Sequence, residues 1–365
     1  MIEIKTLNKN ELLAYISSEK FGTSAFIPIS KHRAISHCNN PRLSEEDVLL
    51  LLAFENDILV GYLGALPDIL HFENKEEKGA WLSCLWIDPN HRGKKIAQKL
   101  LETCFAAWQQ RIMITEFTFE AKILYDKSKI FQDLQIKKGL RWYIRSDFAR
   151  ILPPKKSSYA KLKTLLKVGD VCLNIFLSVK LAFFKKQTCK LKIEPVSQID
   201  TEIENFISTF QEKQLFKRKS TELNWILNFP WILSAPEDEL SKKYHFSSLA
   251  NSFEFSAYKF YNSENELVAF IILAKRDFAF KTPYIYFEKE VAAEIAHFIN
   301  SQIINLKIKT FTTYNKDLIE VLKTTSSPAF HHKTVERKYL ISKVFGNQDY
   351  DSFDIQDGDA DCSFT

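Results

Sequence analysis

The run Trp81-Leu82-Ser83-Cys84-Leu85-Trp86-Ile87-Asp88-Pro89-Asn90-His91-Arg92-Gly93-Lys94-Lys95-Ile96-Ala97 decides how this chain is read. Ala80–Ile87 is rich in aromatic and aliphatic residues and reads as a strand, which Pro89-Asn90 breaks. From Ile96 the apolar residues fall at Ile96, Leu100, Leu101, Cys104, Phe105 and Trp108, the spacing of an amphipathic helix. A helix leaves the N–H groups of its first turn without intrahelical partners. Those groups and the positive end of the helix dipole attract phosphate. Gly93 lets the backbone approach an anion closely, and Arg92, Lys94 and Lys95 add formal charge. A cation at a helix start is unfavourable by roughly 0.3–1 kcal/mol. Three of them favour a bound anion over a bare solvated face, and a pyrophosphate fits the spacing.

Outward from this run the pattern alternates. Asn8–Lys20 and Lys31–Cys38 read as short helices. Val48–Ala53 and Ile58–Leu66 flank the turn Phe54-Glu55-Asn56-Asp57 and predict an antiparallel hairpin, with Gly61 and Gly64 inside it. Ile112–Phe119 alternates as a strand, Ala121–Phe131 predicts a helix, and Leu140–Ile151 a further strand.

The run resembles the coenzyme A-binding motif of the GNAT acetyltransferase superfamily: Arg or Gln, two residues, Gly, one residue, then Gly or Ala. Arg92 and Ala97 occupy its ends, and Lys95 stands where the middle Gly is usual. Trp86-Ile87-Asp88-Pro89, Ala97-x-x-Leu100-Leu101 and the order hairpin, strand, loop, helix, strand, helix over residues 48–131 are similar to the family too. The resemblance covers about the first 150 residues. It implies an α/β (α+β) fold with a mixed, mainly antiparallel sheet flanked by helices. It implies acetyl-CoA as co-substrate, with Leu85, Trp86 and Ile87 pairing with pantetheine through their backbone. Arg92, Gly93, Lys94, Lys95, Ile96 and Ala97 would then hold the pyrophosphate. Ala121-Lys122-Ile123-Leu124-Tyr125-Asp126-Lys127 resembles the family's Ala-x-x-Leu-Tyr-x-Lys pattern, which gives Tyr125 the role of protonating the departing thiolate. A phenol with a pKa of about 10 can donate to a thiolate whose conjugate acid is at about 8.5.

Acyl transfer to an amine needs that amine neutral, so a carboxylate is expected nearby. Glu120 is the first candidate and Glu116 the second. Glu73, Glu76 and Glu77 read as solvated charges or as an attraction for a cationic substrate. No Cys/His pair lies close in sequence, so a covalent acyl-enzyme has no local support, and Cys84 reads as core. The six cysteines form no CxxC pair and no zinc spacing, which predicts no metal site.

The apolar fraction of 45% and charged fraction of 26% fit a soluble globular protein. The N-terminus has no basic region followed by an apolar core, so a cytoplasmic location is expected. The net charge of +5 is unevenly spread. Residues 153–192 hold ten Lys and one Asp, and residues 346–365 six Asp with no Lys or Arg. Tyr159–Lys186 predicts an apolar and basic helix. Its apolar run from Val168 to Phe184 is broken by Asp170, Asn174 and Lys180, against a requirement of about 20 mostly apolar residues for a span. The helix either lies on an anionic membrane surface, as a peripheral contact, or packs with its lysines in solvent. No nucleic-acid motif accompanies the charge.

Residues 200–345 repeat the order of the first half: strand Phe255–Tyr261, turn, strand Glu266–Ala274, strand Pro283–Phe287, helix Val291–Ile303, strand Lys307–Thr312, helix Lys316–Lys323. The equivalent loop, Glu288-Lys289-Glu290, lacks glycine and would repel pyrophosphate. The aromatic stretch Trp225–Trp231 reads as core or as acceptor-site lining. The expected organisation is two tandem domains: 1–152 catalytic, 153–199 a basic helical linker, 200–345 a degenerate copy and 346–365 a disordered acidic tail. The expected function is acyl-CoA-dependent N-acyl transfer to a primary amine, small molecule or peptide. The rival readings are a non-catalytic acyl-CoA-binding or membrane-attached protein and an aminoacyl transferase of the Fem type.

Overall fold

A computed structural model of the chain describes residues 1–73, 75–184, 187–236 and 239–362. The principal elements are β1 (Ile2–Leu7), α1 (Lys9–Ser17), α2 (Glu19–Thr23), α3 (Lys31–Cys38), β2 (Leu50–Glu55), β3 (Ile58–Phe72), β4 (Lys75–Ile87), α4 (Ile96–Ala107), β5 (Ile112–Thr115), α5 (Phe119–Ser128) and β6 (Phe131–Tyr143). They continue with α6 (Lys163–Ala182), β7 (Lys192–Val196), α7 (Thr201–Ser208), α8 (Ser220–Asn228), β8 (Phe253–Tyr261), β9 (Leu267–Arg276), β10 (Ala279–Phe287), α9 (Ala292–Asn305), β11 (Thr310–Thr313), α10 (Lys316–Thr324) and β12 (His331–Ser342). The chain divides into two units. Unit 1 comprises residues 1–137, 198–253 and 337–365, and unit 2 comprises residues 138–197 and 254–336.

Unit 1 is a mostly antiparallel sheet in the order β1-β2-β3-β4-β5-β12-β6. Leu50–Phe54 of β2 is buried throughout, which is why it reads as an unbroken apolar run. Asn56 and Asp57 both hold positive φ, the two-residue turn that suits the twist of a hairpin. The helix stripe expected from Ile96 to Trp108 is buried at all six positions, and it covers one face of the sheet with residues from β2, β3, β4 and β5. Residues of α1 and α3, with Tyr62 and Phe54, form the core on the other. At Gly61 an added Cβ would lie 2.7 Å from Ile87 Cδ1 and 3.1 Å from the Trp86 carbonyl, so glycine lets the end of β4 close onto β3.

Unit 2 has the order β6-β11-β10-β9-β8-β7. Its hairpin, strand, 3-10 turn, helix, strand and helix follow the order seen in unit 1. In both units the strand before the helix pairs in parallel with the strand after it. Each unit takes in a strand from the other half of the sequence: Met113–Thr115 of β5 pair with Tyr339–Ile341 of β12, and Thr310–Thr313 of β11 with Leu140–Tyr143 of β6.

Several boundaries differ from expectation. Ser18 ends α1 and caps α2 through its hydroxyl, dividing the helix expected over Asn8–Lys20. Glu116, at φ +53°, turns the chain out of β5, and a helix begins at Phe119. Lys129, at φ +58°, ends α5, so β6 starts at Phe131 rather than Leu140, and Phe148–Ile151 is helical. The basic helix spans Lys163–Ala182, while Lys185 and Lys186 fall outside the described residues.

The domain expectation is corrected in two places. Residues 198–253 belong with the N-terminal unit, not with the second half. The acidic tail is ordered through Cys362, with Tyr350, Ile355, Asp357, Asp359, Ala360 and Cys362 buried. Its aspartates pair with arginines outside the tail: Asp359 with Arg218 and Asp357 with Arg337. Composition alone cannot reveal such partners. Residues 363–365 of the expected tail lie outside the described residues.

Candidate active site

The site begins with a slip in β4. Its pairing with β3 shifts register between Tyr62↔Trp86 and Gly64↔Ser83, so β4 holds one extra residue. Cys84, within this bulge, has φ +56°. On the other side β4 pairs with β5 only at Ala80↔Ile112 and Trp81↔Met113. The parallel ladder stops there while β4 runs on to Ile87. The backbone of Leu85, Trp86 and Ile87 thus follows an open strand edge. Their side chains part to the two faces: Leu85 and Ile87 pack toward the α4 core, and Trp86 stacks on His245 with ring centroids 4.0 Å apart.

The opening between the strands is a cavity of about 320 Å³. Ser83, Cys84 and Leu85 of β4, Ile114 and Thr115 of β5, and Ala121 and Tyr125 of α5 line it. Thr118 caps α5, its hydroxyl accepting from the Ala121 N–H at 3.3 Å, and so fixes the helix that carries Tyr125. Tyr125 is buried, edge-on to Phe117 and Phe131. Burial, with a smaller push from Cys104, raises its phenol well above the ordinary tyrosine value.

The loop after β4 turns through left-handed backbone at two residues. Asp88 accepts from the Asn90 N–H at 2.9 Å and starts a 3-10 turn over Pro89–His91. Gly93 holds φ +83°. Lys95 holds φ +58°, ψ +24°, the left-handed conformation for which glycine is usual at this motif position. No side chain caps the first turn of α4, so its N–H groups face outward uncapped. Ile96 is buried in the core and offers only its backbone, while Ala97 is half-buried. Arg92, Lys94 and Lys95 are exposed. Lys94 Nζ lies 2.6 Å from Glu55, which His91 also approaches at 3.2 Å. The hydrogen bond from Lys94 draws the Glu55 carboxyl below its usual range.

The carboxylates separate by place. Glu120, expected as the base, stands exposed on the first turn of α5 and does not line the cavity. Hydrogen bonds from its own backbone and from Thr118 lower its carboxyl. Glu116 lines the cavity and is held by Arg337 Nε at 2.7 Å. Glu76 pairs with His71 and Glu77 with Lys75, away from the cavity lining.

Two lining residues, Arg33 and Asp361, had no role in the sequence reading. Arg33 of α3 donates to Ser83 Oγ at 2.9 Å, Tyr244 at 3.1 Å and Cys84 Sγ at 2.6 Å, and lies 3.9 Å over the Trp231 ring. Trp231 belongs to the aromatic stretch already singled out, which was the available signal. Asp361 comes from the acidic tail. Burial pushes its carboxyl up, against the pull of Arg33 and with the help of Glu116. Cys84, read as core, lines the cavity instead. Burial raises its thiol against the pull of Arg33, so it stays a thiol at neutral pH.

The model of the acetyltransferase (GNAT) family matches residues 14–125. No curated protein matches the chain in sequence. Among solved structures, a conserved protein of Enterococcus faecalis V583 described as a probable N-acyltransferase aligns with 94% of this chain and 72% of its own, at 12% identity and TM-score 0.53. A GCN5-related N-acetyltransferase from Anabaena variabilis ATCC 29413 aligns over 93% and 72%, also at 12% identity and TM-score 0.53. The N-myristoyltransferase of Saccharomyces cerevisiae with bound myristoyl-CoA aligns over 93% and 78%, at 10% identity and TM-score 0.51. At such identities these likenesses speak to fold alone. The family match spans the strand, loop and helix of the site, so residues 14–125 are similar to the acetyltransferase (GNAT) family, and the chain shares the fold of these solved structures.

Proposed function

We propose that this chain is an acyl-CoA-dependent N-acyltransferase that moves an acyl group, acetyl in the first instance, to a primary amine by direct attack. The observation that carries the reading is one cavity bordered by an open β4 edge, Tyr125 and Asp361, on a strand that leads into an uncapped basic helix start. The first-turn N–H groups of α4, with Arg92 and Lys95, suit the pyrophosphate of coenzyme A. The open backbone of Leu85–Ile87 suits pantetheine and can polarise a thioester carbonyl. Asp361, raised by burial, takes the proton that frees the amine. The amine nitrogen bonds the carbonyl carbon, the carbon–sulfur bond breaks, the Tyr125 hydroxyl hydrogen-bonds to the leaving sulfur and supplies its proton, and the second proton leaving the nitrogen restores the Tyr125 phenol through solvent. A phenol raised by burial stays protonated across the neutral range, ready for this donation.

Unit 2, on this reading, repeats the fold without a coenzyme A loop. Glu288 and Glu290 stand exposed at the corresponding turn, and among the described residues none from 288 to 292 takes a positive φ.

A thermal-shift series with acetyl-CoA and longer acyl-CoAs tests the donor class, since a ligand that binds only the folded state raises the melting temperature. Steady-state kinetics of Tyr125→Phe test the acid. The expected result is stabilisation by a coenzyme A thioester, with kcat of the variant lower by about 100-fold and donor affinity unchanged. No stabilisation by any thioester overturns the donor class, and unchanged turnover removes Tyr125 from the mechanism.

A further inference from the structure

Helix α6 is amphipathic in the reverse sense to an ordinary surface helix. Its inward stripe carries polar anchors. Asp170 is buried and accepts from the backbone N–H groups of Phe148 at 2.8 Å and Ala149 at 2.9 Å, and from the Ser146 hydroxyl. Asn174 clasps the backbone of Ser146, accepting at 2.7 Å and donating at 2.9 Å. Leu177 and Leu181, on the same stripe, are buried. These bonds lie within unit 2 and fix which face points out.

The outward face is apolar. Leu165, Val168, Ile175, Phe176, Val179 and Phe183 are each more than half exposed, Phe176 at 68% and Phe183 at 85%. At about 100° per residue they fall within an arc of about 100° opposite Asp170. Burial in water-soluble packing would place such residues inward, so this stripe is left for a partner. Lysine is the charge on the helix nearest it: at about 100° per residue Lys180 lies about 40° from the stripe's edge and Lys167 about 80°, while Lys163 falls on the Asp170 side. Lys163, Lys167 and Lys180 are exposed on the helix, Lys155, Lys156 and Lys161 precede it, and residues 153–192 hold ten Lys against one Asp. That Asp is Asp170, which is bonded on the inward side. No helix among the described residues is long and apolar enough to cross a membrane.

We propose that α6 is a peripheral docking helix for an anionic lipid surface, lying flat with its apolar stripe in the acyl boundary and its lysines on the headgroup phosphates. Charge complementarity selects this occupant. A second copy of the chain would set lysine rim against lysine rim, whereas a bilayer bearing negative headgroups meets both the stripe and its border. The lysine stems extend along the apolar surface while their ammonium groups reach the phosphates. The inference is independent of the catalytic reading.

The test uses the full chain in vesicle sedimentation. One set of vesicles is phosphatidylcholine alone, and the other contains about 30% phosphatidylglycerol. Partitioning into the anionic set is expected to be at least about tenfold stronger and to fall as salt rises from about 0.1 to about 0.5 M. The double variant Phe176→Glu, Val179→Glu should lose at least about tenfold in binding, and its circular-dichroism melt should match that of the parent because both side chains are exposed. Lys167→Glu with Lys180→Glu should weaken binding in the same direction. Equal binding to neutral vesicles, or undiminished binding by the double variant, overturns the proposal. So does a dimer, seen by light scattering without vesicle binding, that the double variant dissolves, because the face then belongs to a second copy.

Discussion

Three carboxylates compete for the role of base, and their surroundings rank them. Glu120 is exposed and its carboxyl is lowered by local hydrogen bonds, which weakens it as a proton acceptor. Glu116 is occupied by Arg337. Asp361 is raised by burial and lines the cavity with Arg33. A general base works best when its pKa approaches the operating pH. Asp361→Asn should therefore lower kcat/KM by about 100-fold or more. The sign of the pH effect follows from the raised carboxyl. The parent loses rate as pH falls through the Asp361 pKa, because the protonated acid cannot accept, and the Asn variant lacks that acid limb. Glu120→Gln should leave the profile unchanged. A kcat/KM profile against pH for the three proteins checks this, and an intact acid limb in Asp361→Asn would exclude Asp361. No pattern in the sequence pointed to this residue. An aspartate in a lysine-free tail reads as solvated until its distant partners are known.

At the scale of elements, the sequence was legible where periodicity met burial. The helix Lys31–Cys38 has the bounds read from its pattern, and the apolar stripe of α4 is buried at every expected position. It was least legible where the chain turns on residues other than glycine. Cys84, Lys95, Glu116 and Lys129 all hold positive φ, and none carries the signal of a left-handed residue. This moved the ends of β5 and α5, concealed the start of β6, and hid the bulge that opens β4 away from β5. Lys95 is the informative case, because its backbone does what glycine does at that point of the motif while its side chain adds charge. Lys95→Gly and Lys95→Ala remove the same charge, so they should weaken coenzyme A binding equally. They differ in backbone strain alone, and the left-handed conformation disfavours a Cβ by roughly 1–2 kcal/mol. The Gly variant should therefore be the more stable of the two by about 1 kcal/mol after the larger unfolded-state entropy of glycine is counted. Urea denaturation of both, with calorimetric titration of coenzyme A, checks the pair, and an Ala variant as stable as Gly would mean the loop relaxes out of this conformation.

Across the whole molecule, unit 1 is drawn together from three separated stretches of chain, and the buried ion pairs of Asp68 show why a division into consecutive halves fails. Asp68 of β3 accepts from Trp81 Nε1 at 2.9 Å, from Arg218 at 2.9 Å, and from Arg42. Arg42 also reaches Glu222, and Arg218 reaches Asp359 in the tail. One cluster thus joins residues 42 and 68 to 218 and 222 and to 359, separations that local pattern cannot express. Burial pushes the Asp68 carboxyl up, but Arg218 and Arg42 outweigh it and hold it well below the carboxylate range. A folded-state pKa below the unfolded value of about 4 gives stability that is complete above that pH and lost as pH falls toward the folded value. Asp359 acts in the opposite sense. Its carboxyl is raised, chiefly by burial, so folding favours its protonated form and part of the acid loss is offset. Asp68→Asn keeps the shape and retains Glu222 and Asp359 as counter-charges, so the variant should fold. It leaves two buried guanidinium groups short of one carboxylate, a change that costs about 3–5 kcal/mol when a buried pair is broken. Urea midpoints measured from about pH 7 down to about pH 3 should show the parent losing stability below about pH 4 more steeply than the variant. Parallel pH curves would mean that Asp68 is protonated in the folded state and that the arginines draw their compensation from Glu222 and Asp359 alone.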